Sequence, residues 1–255
     1  MLINTVLLER NRWNQGRIPS FAVSEWVNQF HKDGFTGIEL WENHAAMAGK
    51  NEIEAIKNAP LPITIYNSYI SLENNALEQR QNALEIIQLL QPSSVKFNMG
   101  GDIQRKEEYI KNLTEFHANL PDGCTLLCEC HPGTIMEEPA QARAILEELS
   151  VPCSVIIHPF HASTSLSEWF EHTSDSITHA HVSLFMKGEF YKLADKPSLI
   201  QERLNQLSRF GFQGTFSLEF TEGVATASES IIGLYTNAIE DKAYLESRWK
   251  DMEDV

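Results

Sequence analysis

Leu126-Leu127-Cys128-Glu129-Cys130-His131-Pro132-Gly133 reads as an apolar strand that ends in a carboxylate and an imidazole and then breaks at a Pro-Gly turn. A carboxylate at the end of a buried strand is costly to desolvate unless it is paired, so this ending calls for a partner. The same pattern recurs three times downstream. Val155-Ile156-Ile157 runs into His158 and His161, Ile177 to Val182 carries His179 and His181, and Phe216-Ser217-Leu218 runs into Glu219. Four consecutive strands ending in Glu, His, His and Glu predict a metal site at one rim of a barrel.

Working outward, the strands expected are Leu2 to Leu8, Thr36 to Trp41, Leu61 to Tyr66, Ser94 to Met99, Cys124 to Cys130, Cys153 to Ile157, Ile177 to Leu184 and Gly214 to Phe220. Helical patterns fall between them, at 24–32 with Ser24 as N-cap, 51–58, 77–90, through 113 to 120, 139–149, 166–172, 198–210 and 227–249. The strands start roughly 30 residues apart, the length of one β-then-α unit. They are apolar rather than alternating, as strands covered on both faces are. The reading is an α/β fold, a (β/α)8 TIM barrel, with residues 1–255 as one domain of the usual barrel length. An open doubly wound sheet would carry a Gly-rich phosphate turn after its first strand, and Glu9-Arg10-Asn11-Arg12-Trp13 has none.

Charge narrows the partners. With 20 Lys and Arg against 35 Asp and Glu, the chain carries −15, a field that repels phosphate backbones and anionic bilayers. The expectation is therefore no nucleic acid and no membrane. No apolar run reaches the roughly 20 residues of a membrane span. The segment Met1 to Leu8 lacks the basic start of a secretory signal. Cys124, Cys128, Cys130 and Cys153 crowd two neighbouring strands and read as free thiols, so a cytoplasmic location is expected.

In a (β/α)8 barrel, chemistry sits at the C-terminal strand ends, and Glu129, His158, His181 and Glu219 lie there on adjacent strands. Two carboxylates and two imidazoles suit one borderline divalent ion such as Mn2+, Zn2+ or Co2+, with Mg2+ as a further alternative. Glu39 reads as a substrate-binding or structural carboxylate inside the barrel. Trp41 reads as a platform for a sugar or as core, and Lys96 with Asn98 as pocket residues or as part of a polar layer. His179 shares the parity of His181 and lies deeper.

Together the motifs Glu129-Cys130-His131-Pro132-Gly133-Thr134, His158-Pro159-Phe160-His161, His179-Ala180-His181, Ser217-Leu218-Glu219 and Phe35-Thr36-Gly37-Ile38-Glu39-Leu40 resemble the xylose-isomerase-like (AP-endonuclease-2-like) TIM barrels. These are sugar phosphate isomerases and epimerases, and they include the ketose 3-epimerases. The resemblance implies one divalent ion held by Glu129, His158, His181 and Glu219, with Glu129 and Glu219 also moving a proton through an enediolate. It implies that His161 contacts substrate hydroxyls and that His131 orients substrate or ligand. The family chemistry is expected on a small keto-sugar, and homo-oligomers are common in the family. Two positions depart from its pattern: His158 stands where an Asp is usual, and Ser183 follows His181 where relatives carry an acid. The alternatives are therefore a metal-dependent lyase or dehydratase on a keto-sugar or 3-keto-glycoside, and a non-catalytic sugar-binding barrel.

Overall fold

The computed structural model describes residues 1–253. Its strands are β1 (Leu2–Asn4), β2 (Gly37–Trp41), β3 (Ile63–Asn67), β4 (Ser94–Phe97), β5 (Thr125–Glu129), β6 (Cys153–Ile157), β7 (Ile177–Val182), β8 (Leu184–Met186), β9 (Glu189–Tyr191) and β10 (Thr215–Leu218). Eight of them close a parallel barrel in the order β1-β10-β7-β6-β5-β4-β3-β2, so the chain is a (β/α)8 TIM barrel. Around it lie α1 (Val27–Lys32), α2 (Glu42–Ala46), α3 (Lys50–Lys57), α4 (Leu77–Leu90), α5 (Lys106–His117), α6 (Pro139–Glu148), α7 (Leu166–Thr173), α8 (Pro197–Arg209) and α9 (Ile231–Glu253). Among the described residues no helix is long and apolar enough to cross a membrane.

Strand parity divides the buried residues between two environments. Ile38, Tyr66, Val95, Leu126, Cys128, Val155, Ala180 and Leu218 join the large core between strands and helices. Leu2, Ile65, Leu127 and Ile156 form a separate small cluster inside the barrel. Asn4, Glu39, Lys96, His179, His181 and Ser217 are also buried on the inward parity. The interior is thus apolar in one small patch and polar toward the rim. Cys128 and Cys130 belong to the outer core, and all four cysteines are free.

Three local expectations are corrected. Strand one stops at Asn4, whose side chain accepts from the Val6 amide and starts a 3-10 turn over Thr5–Leu8. Helix α1 begins at Val27, because Ser24 lies in a preceding 3-10 turn with its amide and hydroxyl both bound to Glu52. Strand seven ends at Val182, where Ser183 turns toward the site and the chain leaves the barrel as the β8–β9 hairpin. Lys187 and Gly188 make its turn with φ of 52° and 86°, the positive pair that a tight hairpin of matching twist requires.

Two packing details hold the rim. Gly101 lies so close to the Gly133 carbonyl that a Cβ would come within 2.6 Å of it, which locks the loop after β4 against the loop that follows Glu129. The Gly100-Gly101-Asp102 stretch is therefore a packed turn, with Asp102 accepting from the Gln104 amide. At the far side, Asp241 of α9 accepts from the Leu193 amide at 2.7 Å and the Thr221 hydroxyl at 2.6 Å. Burial outweighs those bonds and pushes its carboxyl up to about 6.

Candidate metal centre

Glu129 is the last residue of β5, His158 follows β6, His181 lies within β7, and Glu219 follows β10. These strands are neighbours in the ring, so their C-terminal ends deliver four side chains to one point. One ligand atom from each lies within 4.8 Å of all the others. Glu129 Oε1 is 3.1 Å from His158 Nε2 and 3.3 Å from His181 Nδ1. Glu219 Oε1 is 3.3 Å from His181 Nδ1, and its Oε2 is 3.6 Å from His158 Nδ1. All four residues are buried.

A second layer beneath them fixes their orientation. Glu39, fully buried on β2, reaches across the barrel and accepts from His181 Nε2 at 3.0 Å and from Asn4 Nδ2 at 2.8 Å. A carboxylate can only accept, so Nε2 carries a hydrogen, and Nδ1, whose proton is the one to be lost on ligation, points between Glu129 and Glu219. His179 sits below, 3.5 Å from the other Glu39 oxygen, with its nitrogens on Thr215 and Ser217. On the opposite side Lys96 Nζ pairs with Glu129 Oε2 at 2.7 Å, and Asn98 Nδ2 donates to the same oxygen at 3.0 Å.

The electrostatics follow from these contacts. Burial opposes the charge on Glu129, but Lys96 and the two imidazoles outweigh it and hold its carboxyl well below the usual range. Glu39 is lowered in the same way by His181 and His179 against the cost of burial. Burial works against a charged His181, yet Glu39, Glu219 and Glu129 together hold its proton affinity well above that of an ordinary imidazole. Burial also lowers Lys96, but Glu129 reverses the effect and keeps the ammonium charged.

These residues fit a divalent cation. His158 Nδ1 and His181 Nδ1 are buried without hydrogen-bond partners, and both face carboxylate oxygens. With both imidazoles neutral, as ligation requires, three buried carboxylates (Glu39, Glu129 and Glu219) against one buried ammonium (Lys96) leave two negative charges for a dication to balance. The group could hold a metal ion through Glu129, His158, His181 and Glu219.

Above the cluster opens a cleft of about 610 Å3. His131 and His161 line it, as do Glu129, His158 and Glu219. His131 is exposed and its Nδ1 lies on the Pro132 carbonyl, whereas His161 bonds through Nε2 to Ser183 Oγ at 2.8 Å and is kept neutral by burial and the neighbouring rings. Ser183 Oγ in turn reaches Glu219 Oε2 at 3.5 Å, so the residue that departs from the family pattern puts a hydroxyl beside the cluster.

Three expected substrate contacts do not reach the cleft wall. Glu39 is sealed beneath His181. Trp41 is fully buried, capped by the Arg17 guanidinium 5.2 Å from its ring and by the edge of His44. Lys96 is screened by Tyr69, whose ring centre lies 4.1 Å from Nζ. The cleft instead gains Tyr69, Trp13, Phe185, Phe190 and Phe220, which the sequence reading passed over. Tyr69 and Phe220 stand just beyond barrel strands, so position alone marked them. Trp13, Phe185 and Phe190 come from excursions whose course is set by tertiary packing.

No family model and no curated protein matches the sequence. Solved structures do match the fold. The probable 3-DHS dehydratase involved in petrobactin synthesis from Bacillus anthracis superposes with a TM-score of 0.68 at 16% identity, over 95% of this chain and 97% of that one. The 3-keto-D-glucoside 4-epimerase from E. coli gives 0.63 at 16% identity, over 92% and 97%. Endonuclease IV from Thermus thermophilus gives 0.59 at 15% identity, over 88% and 94%. These likenesses establish the barrel that the sequence resemblance implied. The three names carry three different chemistries, so the fold alone leaves the reaction to the site.

Proposed function

We propose that this chain is a divalent-metal-dependent isomerase or epimerase acting on a small keto-sugar by proton transfer through an enediolate. The observation that carries the reading is the convergence of Glu129 and Glu219 on the unpartnered nitrogens of His158 and His181 at the floor of an open cleft. Glu129, His158, His181 and Glu219 are the residues that would hold the ion. When bound, a divalent ion supplies Lewis-acid polarisation of a carbonyl and its neighbouring hydroxyl. Mn2+ and Zn2+ are the ions we favour, the second imidazole moving the site toward Zn2+.

The two carboxylates have unequal tasks. Glu129 is pinned as an anion by Lys96 and Asn98, so protonating it would break a buried ion pair. Glu219 has no lysine partner, and its contacts are the imidazoles and the Ser183 hydroxyl. Glu219 is therefore the base that removes the proton next to the carbonyl, and Glu129 acts first as an anchor. His161, neutral and bonded to Ser183, orients a substrate hydroxyl, and His131 at the rim meets the distal end.

Elimination begins with the same proton transfer. Tyr69 lines the cleft, and burial raises its phenol despite the pull of Lys96, so it stays protonated and able to serve a departing oxygen. That observation favours a metal-dependent lyase on a 3-keto-glycoside as the second reading. Incubation of the metal-loaded chain with a keto-sugar panel and with a 3-keto-glycoside separates the two. An exchanged or inverted C–H centre supports the isomerase, a released aglycone supports the lyase, and no conversion by any metal form returns the chain to a sugar-binding role.

A further inference from the structure

The cleft has one side of a different character from its floor. From His161, beside the metal cluster, rings follow one another to the rim: Phe185 at 5.6 Å, Phe190 at a further 4.9 Å, Phe220 at 5.0 Å and Trp13 at 5.7 Å. Phe185 and Phe190 are cross-strand partners of the β8–β9 hairpin, which places them on the cleft. Each step is about the width of one six-membered ring, so a single sugar held at the cluster covers one step and leaves the outer ones uncovered. Trp13 is 60% exposed. Arg12 packs behind it at 5.2 Å, its guanidinium spent on Glu229 and on the carbonyls of Val6 and Leu7. The outermost ring is thus braced from behind and open in front.

Charge supplies a second, independent observation. No lysine or arginine lines the cleft among the described residues. Of the cations nearby, Lys96 is paired with Glu129 and Arg12 with Glu229, while Arg17 lies outside the lining, sandwiched against the faces of Trp41 and Tyr69. Glu129 and Glu219 add negative charge at the floor. A phosphate or carboxylate on the ligand would meet no fixed cation of the protein outside the metal cluster.

We propose that this cleft takes an uncharged glycoside of two rings, with one sugar at the metal cluster and a second ring lying against Phe190, Phe220 and Trp13. This rests on the sugar-directed reading above and adds the size and charge of its substrate. The second ring offers a flat apolar face, either an aryl group or the C–H face of another sugar, and aromatic walls bind both kinds.

Isothermal titration of the full-length Mn2+-loaded chain tests it with methyl β-glucopyranoside, phenyl β-glucopyranoside, cellobiose, glucose and glucose 6-phosphate as probes. The expected result is a two-ring probe binding at least tenfold tighter than the methyl glucoside. Preference for the phenyl compound marks an aryl ring, and preference for cellobiose marks a sugar. Glucose 6-phosphate should bind no tighter than glucose. W13A and F190A should bring the ratio of two-ring to methyl affinity to within threefold. Equal affinity for all neutral probes, tighter binding of the phosphate, absence of binding by either two-ring probe, or an undiminished ratio in both variants overturns the proposal. Two-ring binding without turnover of any keto-glycoside would remove the catalytic reading and leave this one intact.

Discussion

The two halves of the barrel do different work. Strands β5, β6, β7 and β10 present the candidate ligands Glu129, His158, His181 and Glu219, while β2 and β4 present Glu39, Lys96 and the nearby Asn98, which touch those ligands from behind, and Asn4 of β1 holds Glu39. Both sets are buried and polar, and the distinction lies in what they face. The ligand half leaves His158 Nδ1 and His181 Nδ1 unpartnered and facing carboxylates, whereas the supporting half spends Lys96, Asn98 and one oxygen of Glu39 on the ligand half. A polar barrel interior is therefore no single layer. One side is arranged to receive positive charge and the other to hold that arrangement still.

The largest test of the division is Glu219→Gln. With the proposed base removed, turnover of the responsive keto-sugar should fall by about 10³-fold or more, read as kcat with the metal content checked in parallel. Retained activity would move the proton transfer elsewhere and break the assignment of chemistry to the ligand half. Stripping the ion with a chelator should likewise abolish turnover and lower Tm, since an ion that binds only the folded state adds to its stability.

Lys96→Met probes the supporting half through stability. It leaves Glu129 buried without its ammonium partner, and the metal-free chain should lose about 3–5 kcal/mol in urea unfolding. Excess Zn2+ or Mn2+ should restore part of that loss, because a dication at Glu129 replaces the missing charge. An equal loss with and without metal would show that Lys96 serves packing alone.

Glu39→Gln should be milder and more selective. The amide can still contact His181 but no longer holds a hydrogen on Nε2 as an anion does, and metal affinity should fall about 10–100-fold with the fold retained. Competition against a metallochromic chelator measures it. Unchanged affinity would mean that the two halves are not coupled through His181.

The smallest effect lies outside both halves and serves as a control. The carboxyl of Asp241 is raised to about 6 from 3.8, so the folded state holds its proton more tightly than the unfolded state does. Its contribution is greatest at low pH and is lost as pH rises through 6, by about 1 kcal/mol between pH 5 and pH 7. The unfolding free energy of Asp241→Asn relative to the parent, read from urea titrations, should change by that amount over this window without altering metal affinity.

The convergence of Glu129, His158, His181 and Glu219 was legible in the sequence, and the contacts made behind them by Glu39 and Lys96 were not, for a physical reason. Apolar strands that end in Glu129, His158 or Glu219 violate the local rule that buried strands avoid ionisable groups, and such violations stand out along the chain. Glu39 violates the same rule, but its partner is set by the stagger of the whole ring. Parity shows that it points inward, and nothing near Gly37–Trp41 shows that it meets His181. Trp41 and Lys96 each allowed two readings, as pocket residues or as core and polar layer, and the second holds because Arg17 and Tyr69 arrive from other loops to cover them. The β8–β9 hairpin left a trace in Lys187-Gly188 between two aromatic-rich triplets, a weaker turn signal than Asn-Gly.

The bond between His181 and Glu39 joins residues 142 positions apart, on strands that are not neighbours in the ring. Sheet pairing cannot form it step by step; it exists only once the first strands and the last have closed on each other. Metal capture at the proposed site would therefore report ring closure during folding. A partly folded chain with only its last strands in place would carry all four candidate ligands and still bind weakly. The ion would thus commit itself to the completed barrel and, once bound, slow its reopening.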